Sequence, residues 1–381
     1  MKADYSDCKN FHFVKFYSCG KSDILEKIFG GIILNGLTEK IFELSEGKKN
    51  LRFMEVCGTH TVAIFRAGIR QILPKNTELV SGPGCPVCVT EEKFIDKAIA
   101  YAKNPDVIIA TFGDMLKVPG SNSNLSEVAG NVKIIYSPQD CIKIAEDNPS
   151  KKIIFLAVGF ETTSPTIAAT ILMARELNIK NLYFLSAQKL VPPALKMLLD
   201  DDEVQVDGFL LPGHVAVVTG TKVFEFLKIP SVVAGFEAEE ILLAILNLLQ
   251  QIDEQNFFVA NEYKSVVRES GNIAAQKILS QVYEVVDSNW RGIGLIKNSG
   301  LKIREEFAEF DIEKVLPVEV EELPKKNLCR CGEVLRGIIN PVECKLFGKS
   351  CQPLHAVGPC MVSVEGVCAA WYKYGGSNFN F

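Results

Sequence analysis

Clustered cysteines are the feature of this chain that most directly predicts chemistry. Thiolates bind soft metals and exchange electrons, so cysteines grouped in sequence indicate a site rather than packing. Seven of the twelve cysteines fall into two groups far apart in the chain: Cys57, Cys85 and Cys88, then Cys329, Cys331, Cys344 and Cys351. The sequence therefore predicts metal or redox chemistry carried by two separate segments.

The C-terminal group has the donor count of a metal centre. Cys329 and Cys331 are followed by Cys344 after twelve residues and by Cys351 after six more. Four thiolates can hold a tetrahedral zinc ion or one iron–sulfur cubane. Structural zinc sites favour paired CxxC knuckles, which this spacing lacks. The pattern favours a [4Fe–4S] cluster and leaves zinc open.

The motif SGPGCPVCVT contains a CxxC in an irregular loop between a predicted strand and a helix that begins near Thr90. Free N–H groups and the helix dipole stabilise a thiolate placed just before a helix. Half of a zinc knuckle is the alternative, but the chain has no second CxxC to complete it. We therefore predict that Cys85 and Cys88 form a redox-active pair.

The motif VCGTH places Cys57 at the end of a predicted strand and His60 at the start of the next helix. Ligands of parallel sheets bind at the carboxyl ends of strands. An imidazole at this spacing can pair with the thiolate or bind the same metal, although an isolated Cys-His pair is usually structural. Because Cys85 and Cys88 follow another strand of the same predicted sheet, all three cysteines are expected at one edge.

Two further strand ends carry titratable residues. Glu161 lies in GFETTSPT and His214 in LLPGHVAVVTG, each directly after an apolar run. Thr162 and Ser164 read equally well as ordinary helix caps. Glu161 and His214 are the better site candidates, because titratable groups at strand ends normally have a partner. No Walker A or GxGxxG motif is present.

Alternation of short apolar runs with amphipathic stretches predicts an α/β fold with parallel sheets. We expect two small doubly wound, Rossmann-like domains and a loop-rich C-terminal iron–sulfur domain, in which Cys360 and Cys368 are buried as small apolar residues. The boundaries predicted are an N-terminal extension over 1–50, domain I over 51–150 with Cys57, Cys85 and Cys88, domain II over 151–253, and a helical and loop-rich cluster domain over 254–381. Predicted strands are Arg52–Val56, Glu78–Val80, Asp106–Thr111, Lys133–Tyr136, Lys152–Val158, Asn181–Ser186, Asp207–Leu211 and Ser231–Ala234. Predicted helices are Thr61–Ile72, Thr90–Lys103, Pro138–Glu146, Pro165–Leu177, Pro192–Leu199, Thr219–Leu227 and Ala238–Gln251.

The composition argues against several classes of function. A net charge of −5 argues against nucleic-acid binding, and the longest apolar runs are too short to span a membrane. The polar, acidic N-terminus has no signal-peptide pattern, which predicts a cytoplasmic location. Cysteines are kept reduced there unless they bind metals or take part in redox chemistry.

The motifs together resemble the HypD family of hydrogenase maturation factors. The matching segments are FMEVCGTHTVAIFRAGIRQILP, SGPGCPVCVT, TFGDMLKVPGS, VGFETTSPT, LPGHVAVVTG and the CRCGEVLRG…ECKLFG…C tail, from about Leu51 to Tyr374. The resemblance implies that Cys57 shares an iron atom with a partner's cysteine, that Cys85 and Cys88 are the redox pair, and that the four C-terminal cysteines bind a [4Fe–4S] cluster. His60, Glu161 and His214 lie in matching motifs.

The resemblance also implies a cytoplasmic scaffold for [NiFe] hydrogenases. Such a scaffold would work with a HypC-type chaperone, which helps to hold iron, and a HypE-type cyanide donor while CN and CO ligands are installed. Two alternatives stay open: a [4Fe–4S]-dependent thiol–disulfide oxidoreductase, which would be a true enzyme, and an interaction protein with structural zinc. The source of CO and the electron donor do not follow from the sequence.

Overall fold

The computed structural model describes residues 32–128, 131–321 and 328–375. Strands and helices alternate through most of this range, and the fold class is α/β as predicted. The strands are β1 Leu51–Glu55, β2 Thr77–Ser81, β3 Val107–Thr111, β4 Val132–Ile134, β5 Lys152–Gly159, β6 Leu182–Gln188, β7 Gly208–Pro212, β8 Ser231–Ala234, β9 Val259–Asn261, β10 Tyr283–Trp290 and β11 Gly294–Ile303. The helices are α1 Ile32–Ser45, α2 Gly58–Arg66, α3 Ile69–Ile72, α4 Glu92–Ala102, α5 Asp140–Asp147, α6 Ser164–Glu176, α7 Val191–Leu199, α8 Gly213–Thr219, α9 Ala238–Glu254, α10 Ile273–Val282, α11 Ile312–Val315, α12 Cys331–Leu335 and α13 Val367–Tyr374.

Two parallel sheets form the centre of the molecule, and helices cover them. The first has five strands in the order β2-β1-β7-β8-β9, and the second has four in the order β4-β3-β5-β6. Strand β5 is buried over almost its whole length, which is why its sequence is continuously apolar rather than alternating. The prediction of two Rossmann-like parallel sheets is confirmed.

The grouping of strands into sheets differs from the prediction. All eight predicted strands occur within two residues of their expected bounds. However, β1 pairs with β7 and β3 pairs with β5, so strands from before and after residue 150 share each sheet. The expectation that residues 51–150 contain one sheet and residues 151–253 the other is therefore wrong. The chain begins the first sheet, builds all of the second, and then returns to finish the first.

Two local predictions also fail. The helix expected over Thr219–Leu227 is instead α8, which ends at Thr219, followed by a short 3-10 helix over Lys222–Phe224. The helical region expected up to about residue 286 contains β9 and α10, and then gives way to the antiparallel hairpin β10–β11. The pairing of this hairpin shifts in register between Val286 and Ser288.

Both ends of the described chain pack against helices that cover the first sheet. Ile41 of α1 lies in a buried cluster with residues of α9, and Lys48 forms an ion pair with Asp253 at 2.7 Å. Residues 1–31 of the predicted N-terminal extension lie outside the described residues. At the other end, Trp371 of α13 makes an edge contact with Phe65 of α2, with ring centroids 5.3 Å apart. Within residues 32–128, 131–321 and 328–375, no helix combines the length and apolar character of a membrane span.

Candidate metal and thiol site

Cys57 occupies the turn between β1 and α2, at the N-cap position of the helix. Gly58 N donates to Gly84 O at 3.1 Å, which presses the turn against the loop of the CxxC motif. A Cβ on Gly84 would lie 2.4 Å from the backbone nitrogen of Cys57, so this close approach requires glycine. Cys57 keeps part of its surface exposed, while burial of its thiol raises its pKa to about 11.

The C-terminal segment closes over this turn. Thr59 Oγ1 donates to Glu365 Oε1 at 2.9 Å, and a Cβ on Gly58 would meet Glu365 O at 2.4 Å. The negative charge of Glu365 adds to the effect of burial in raising the pKa of the Cys57 thiol. Glu365 is a site residue that sequence reasoning missed, because no local pattern links an acid in the tail to a cysteine near the start.

His60 and His214 meet at one aromatic ring. The imidazoles stack on Phe236 with centroid distances of 4.5 Å and 3.9 Å, respectively. His60 is buried, and its Nε2 is 2.8 Å from Gly235 O, so its ring bonds the backbone rather than Cys57. Burial lowers the pKa of His60 to about 4, which keeps the imidazole neutral. His214 is exposed, and burial of part of its ring lowers its pKa while Glu365 acts in the opposite direction.

Cys85 and Cys88 lie next to each other in the interior. Both are almost fully buried, and Cys88 N donates to Cys85 Sγ at 3.3 Å. The predicted stabilisation of a thiolate by the following helix is wrong for Cys88. Helix α4 begins only at Glu92, and burial together with the neighbouring thiols of Cys360 and Cys85 raises the pKa of Cys88 well above its usual range. Cys88 is therefore held as a protonated thiol.

The four C-terminal cysteines come together as predicted. They line one apolar pocket with Phe347, and Cys360 and Cys368 line it too. Cys351 Sγ accepts a hydrogen bond from Val357 N at 3.4 Å. A Cβ on Gly358 would lie 2.4 Å from Cys329 Sγ, so the glycine leaves room beside this sulfur. The full set of pocket cysteines is Cys329, Cys331, Cys344, Cys351, Cys360 and Cys368.

The donor set of this pocket fits an iron–sulfur cubane. A cubane takes one thiolate at each of four corners, several ångströms apart, and an apolar pocket with backbone N–H donors suits it. Among residues 32–128, 131–321 and 328–375, no three His, Cys, Asp or Glu side chains are placed to hold a single metal ion. The pocket brings together enough cysteines for the four corners of such a cluster.

Cys360 connects the two cysteine groups. Its thiol contacts those of Cys88, Cys331 and Cys368. Cys360 is buried as predicted, but its contacts with other thiols go beyond the role of a small apolar residue. The signal that could have revealed it is its Gly-Pro-Cys sequence, which resembles the Gly-Pro-Gly-Cys turn before Cys85.

Glu161 lies apart from Cys57, at the end of β5 in the second sheet. Its Oε1 accepts a hydrogen bond from Val191 N, at the start of α7, at 2.9 Å. Its Oε2 is buried and has no hydrogen-bond partner among the described residues. Burial raises the pKa of this carboxyl to about 7. The neighbouring Phe160 packs in the buried cluster that contains Cys85 and Cys88.

Comparison with known proteins identifies the family of this arrangement. The HypD family model, described as "Hydrogenase formation hypA family", matches residues 33–375. The chain belongs to the HypD family. It is 42% identical to the hydrogenase maturation factor HypD of Escherichia coli K12 over 351 residues, which cover 90% of this chain and 94% of that protein. It is 43% identical to a putative hydrogenase expression/formation protein of Methanocaldococcus jannaschii, with 88% and 95% covered, and 41% identical to HypD of Azotobacter vinelandii, with 91% and 95% covered. Like other HypD proteins, it is a hydrogenase maturation factor.

Proposed function

We propose that this protein is a cytoplasmic scaffold that holds an iron atom while its CN and CO ligands are installed for a [NiFe] hydrogenase. Cys57 provides the protein's sulfur ligand to this iron, which is cargo and not a resident cofactor. A HypC-type chaperone supplies the second thiolate, and a HypE-type protein delivers cyanide. Two thiolates from two proteins suit low-spin iron with π-acceptor ligands, and they allow its later transfer.

The observation that carries the proposal is a continuous series of contacts that joins the turn of Cys57, the CxxC loop and the C-terminal cysteine pocket. The turn of Cys57 packs on Gly84, the residue before Cys85. Cys88 contacts Cys360, which contacts Cys331 of the C-terminal pocket. The partial exposure of Cys57 supports access by a partner protein. Its raised pKa means that binding of iron must release the thiol proton.

We propose that Cys329, Cys331, Cys344 and Cys351 hold a resident [4Fe–4S] cluster. When bound there, the cluster supplies single electrons. Cys85 and Cys88 form a disulfide by giving up two electrons and two protons, and they take both back on reduction. Their burial, together with Cys360, keeps water away from this exchange.

Infrared spectroscopy tests whether Cys57 holds the iron. The protein is purified anaerobically with its chaperone, and Cys57→Ala is compared with the original protein. We expect the variant to lose the iron–CN and iron–CO bands while keeping the brown colour of the cluster. A matched control is Cys141→Ala, because Cys141 is buried on α5, which packs against the second sheet. If the bands persist in Cys57→Ala, Cys57 does not hold the iron.

The contact of Cys88 with Cys360, which in turn contacts Cys331, also favours a second function, a [4Fe–4S]-dependent thiol–disulfide oxidoreductase. This enzyme would need no bound iron cargo and no chaperone. Turnover of a disulfide substrate by the isolated protein would support it. Copurification of iron with a small chaperone, without such turnover, would support the scaffold.

A further inference from the structure

Arg291 is a buried cation beside the C-terminal cysteines that the proposed function does not use. It follows β10, in the turn that leads to β11, and its side chain is only 4% exposed. Its Nη2 lies 3.0 Å from Glu92 Oε1, and its Nη1 donates to Pro119 O at 2.7 Å. Its backbone N donates to Val89 O at 2.9 Å, one residue after Cys88.

The turn that carries Arg291 is pressed against the cysteine pocket. A Cβ on Gly332 would lie 2.0 Å from Gly292 O, and a Cβ on Gly292 would lie 3.7 Å from Cys331 Sγ. Arg291 also lines an open cavity of about 280 Å³ together with Cys329, Cys331 and Glu92. The guanidinium is therefore fixed on the side of the pocket formed by the CxC motif.

Arg291 lines the same cavity as Cys329 and Cys331, so its positive charge lies beside both of these sulfurs. A fixed positive charge stabilises any negative charge that is added next to it. Because Arg291 is buried, solvent and salt screen its field only weakly.

We propose that Arg291 raises the reduction potential of the cluster held by Cys329, Cys331, Cys344 and Cys351, with Glu92 as the opposing charge. The inference rests on the proposed [4Fe–4S] site. One-electron reduction adds one negative charge to the cluster and its thiolates. The fixed guanidinium stabilises this reduced state more than the oxidised state. Arg291 acts through the cluster and does not touch the iron cargo.

An EPR-monitored redox titration of the full-length protein, with dithionite and mediators, measures this effect. Arg291→Gln should lower the equilibrium constant for reduction about tenfold, which for one electron is about 59 mV toward more negative potential. Arg291→Lys keeps the charge and should remain close to the original value. Glu92→Gln leaves Arg291 in place and should shift the potential upward.

Arg336→Gln is the matched control. Arg336 lines the same cavity, but it pairs with Asp201 and Glu203 at 2.8 Å and 3.0 Å. We expect no shift in this variant. Equal potentials for Arg291→Gln, Glu92→Gln and the original protein would overturn the inference. If Arg291→Gln fails to hold a cluster, the potential of Glu92→Gln tests the inference by itself. The absence of an upward shift in Glu92→Gln would then overturn the inference. A colourless, iron-free original protein would instead refute the proposed cluster itself.

Discussion

Glu161 makes the stability of this protein depend on pH in a way that one substitution should remove. Its carboxyl is buried at the end of β5, and burial raises its pKa from the ordinary 4.5 to about 7. Above pH 4.5 the unfolded chain releases this proton, whereas the folded protein keeps it until about pH 7. The unfolded state therefore binds fewer protons in this window, and the free energy of unfolding falls as pH rises.

The size of the effect follows from the two pKa values. A tenfold change in proton affinity is worth about 1.4 kcal/mol, so the change from 4.5 to about 7 corresponds to about 3 kcal/mol in full. The part that falls between pH 5 and pH 8 is about 2.5 kcal/mol. Glu161→Gln cannot lose a proton and should lack this loss of stability.

Urea unfolding at pH 5, 6, 7 and 8, followed by circular dichroism, measures the effect. The difference in unfolding free energy between Glu161→Gln and the original protein should grow in favour of the variant by about 2.5 kcal/mol from pH 5 to pH 8. His60→Gln is a control for which the pH dependence should have the opposite sign. Burial lowers the pKa of His60 from 6.5 to about 4. The contribution of His60 to the free energy of unfolding therefore rises with pH between these two pKa values. A difference that does not change with pH in Glu161→Gln would refute the assignment of a buried, proton-bearing carboxyl.

Three further predictions follow from the contacts around the thiols. Cys360→Ala should slow reduction of the buried dithiol at least tenfold while the cluster stays intact; thiol labelling and mass spectrometry after dithionite measure it, and an unchanged rate would argue against a role for this contact. Gly84→Ala should destabilise the protein by about 3 kcal/mol, because the new Cβ meets the backbone of Cys57 at 2.4 Å; an unchanged urea midpoint would contradict this. Glu365→Gln should lower the pKa of the Cys57 thiol and speed its alkylation at pH 8 several-fold; a slower reaction would show that this carboxylate does not act through its charge.

Local sequence patterns predicted the strands and helices of this fold, but they did not predict which strands pair. Runs such as VIIA and IIFLAV have the length and the β-branched composition of buried strands, so β3 and β5 were predicted almost to the residue. Each βα unit looks alike, however, and nothing local indicates that β1 pairs with β7 across the whole second sheet. The hairpin was missed because α10 runs directly into β10 without a turn residue between them.

The residues of the candidate site also fall into those that local motifs revealed and those that they did not. Cys57, Cys85 and Cys88 were recognisable because their motifs combine a strand end, a turn and a thiol. Glu365 and Arg291 were not, because their contacts in the site are with residues far away in the sequence. Burial also reversed one expectation, since a helix start alone does not stabilise a thiolate when the sulfur has lost its contact with water.

The hydrogen bond between Thr59 and Glu365 joins residues 306 positions apart. During synthesis on the ribosome, the cysteine that precedes Thr59 leaves the exit tunnel long before the segment that covers it has been made. The first sheet also cannot be completed before β7, β8 and β9 have been synthesised. A growing chain that still lacks Glu365 therefore cannot assemble the surroundings of this sulfur. The fold thus makes the environment of Cys57 depend on synthesis of the C-terminal segment.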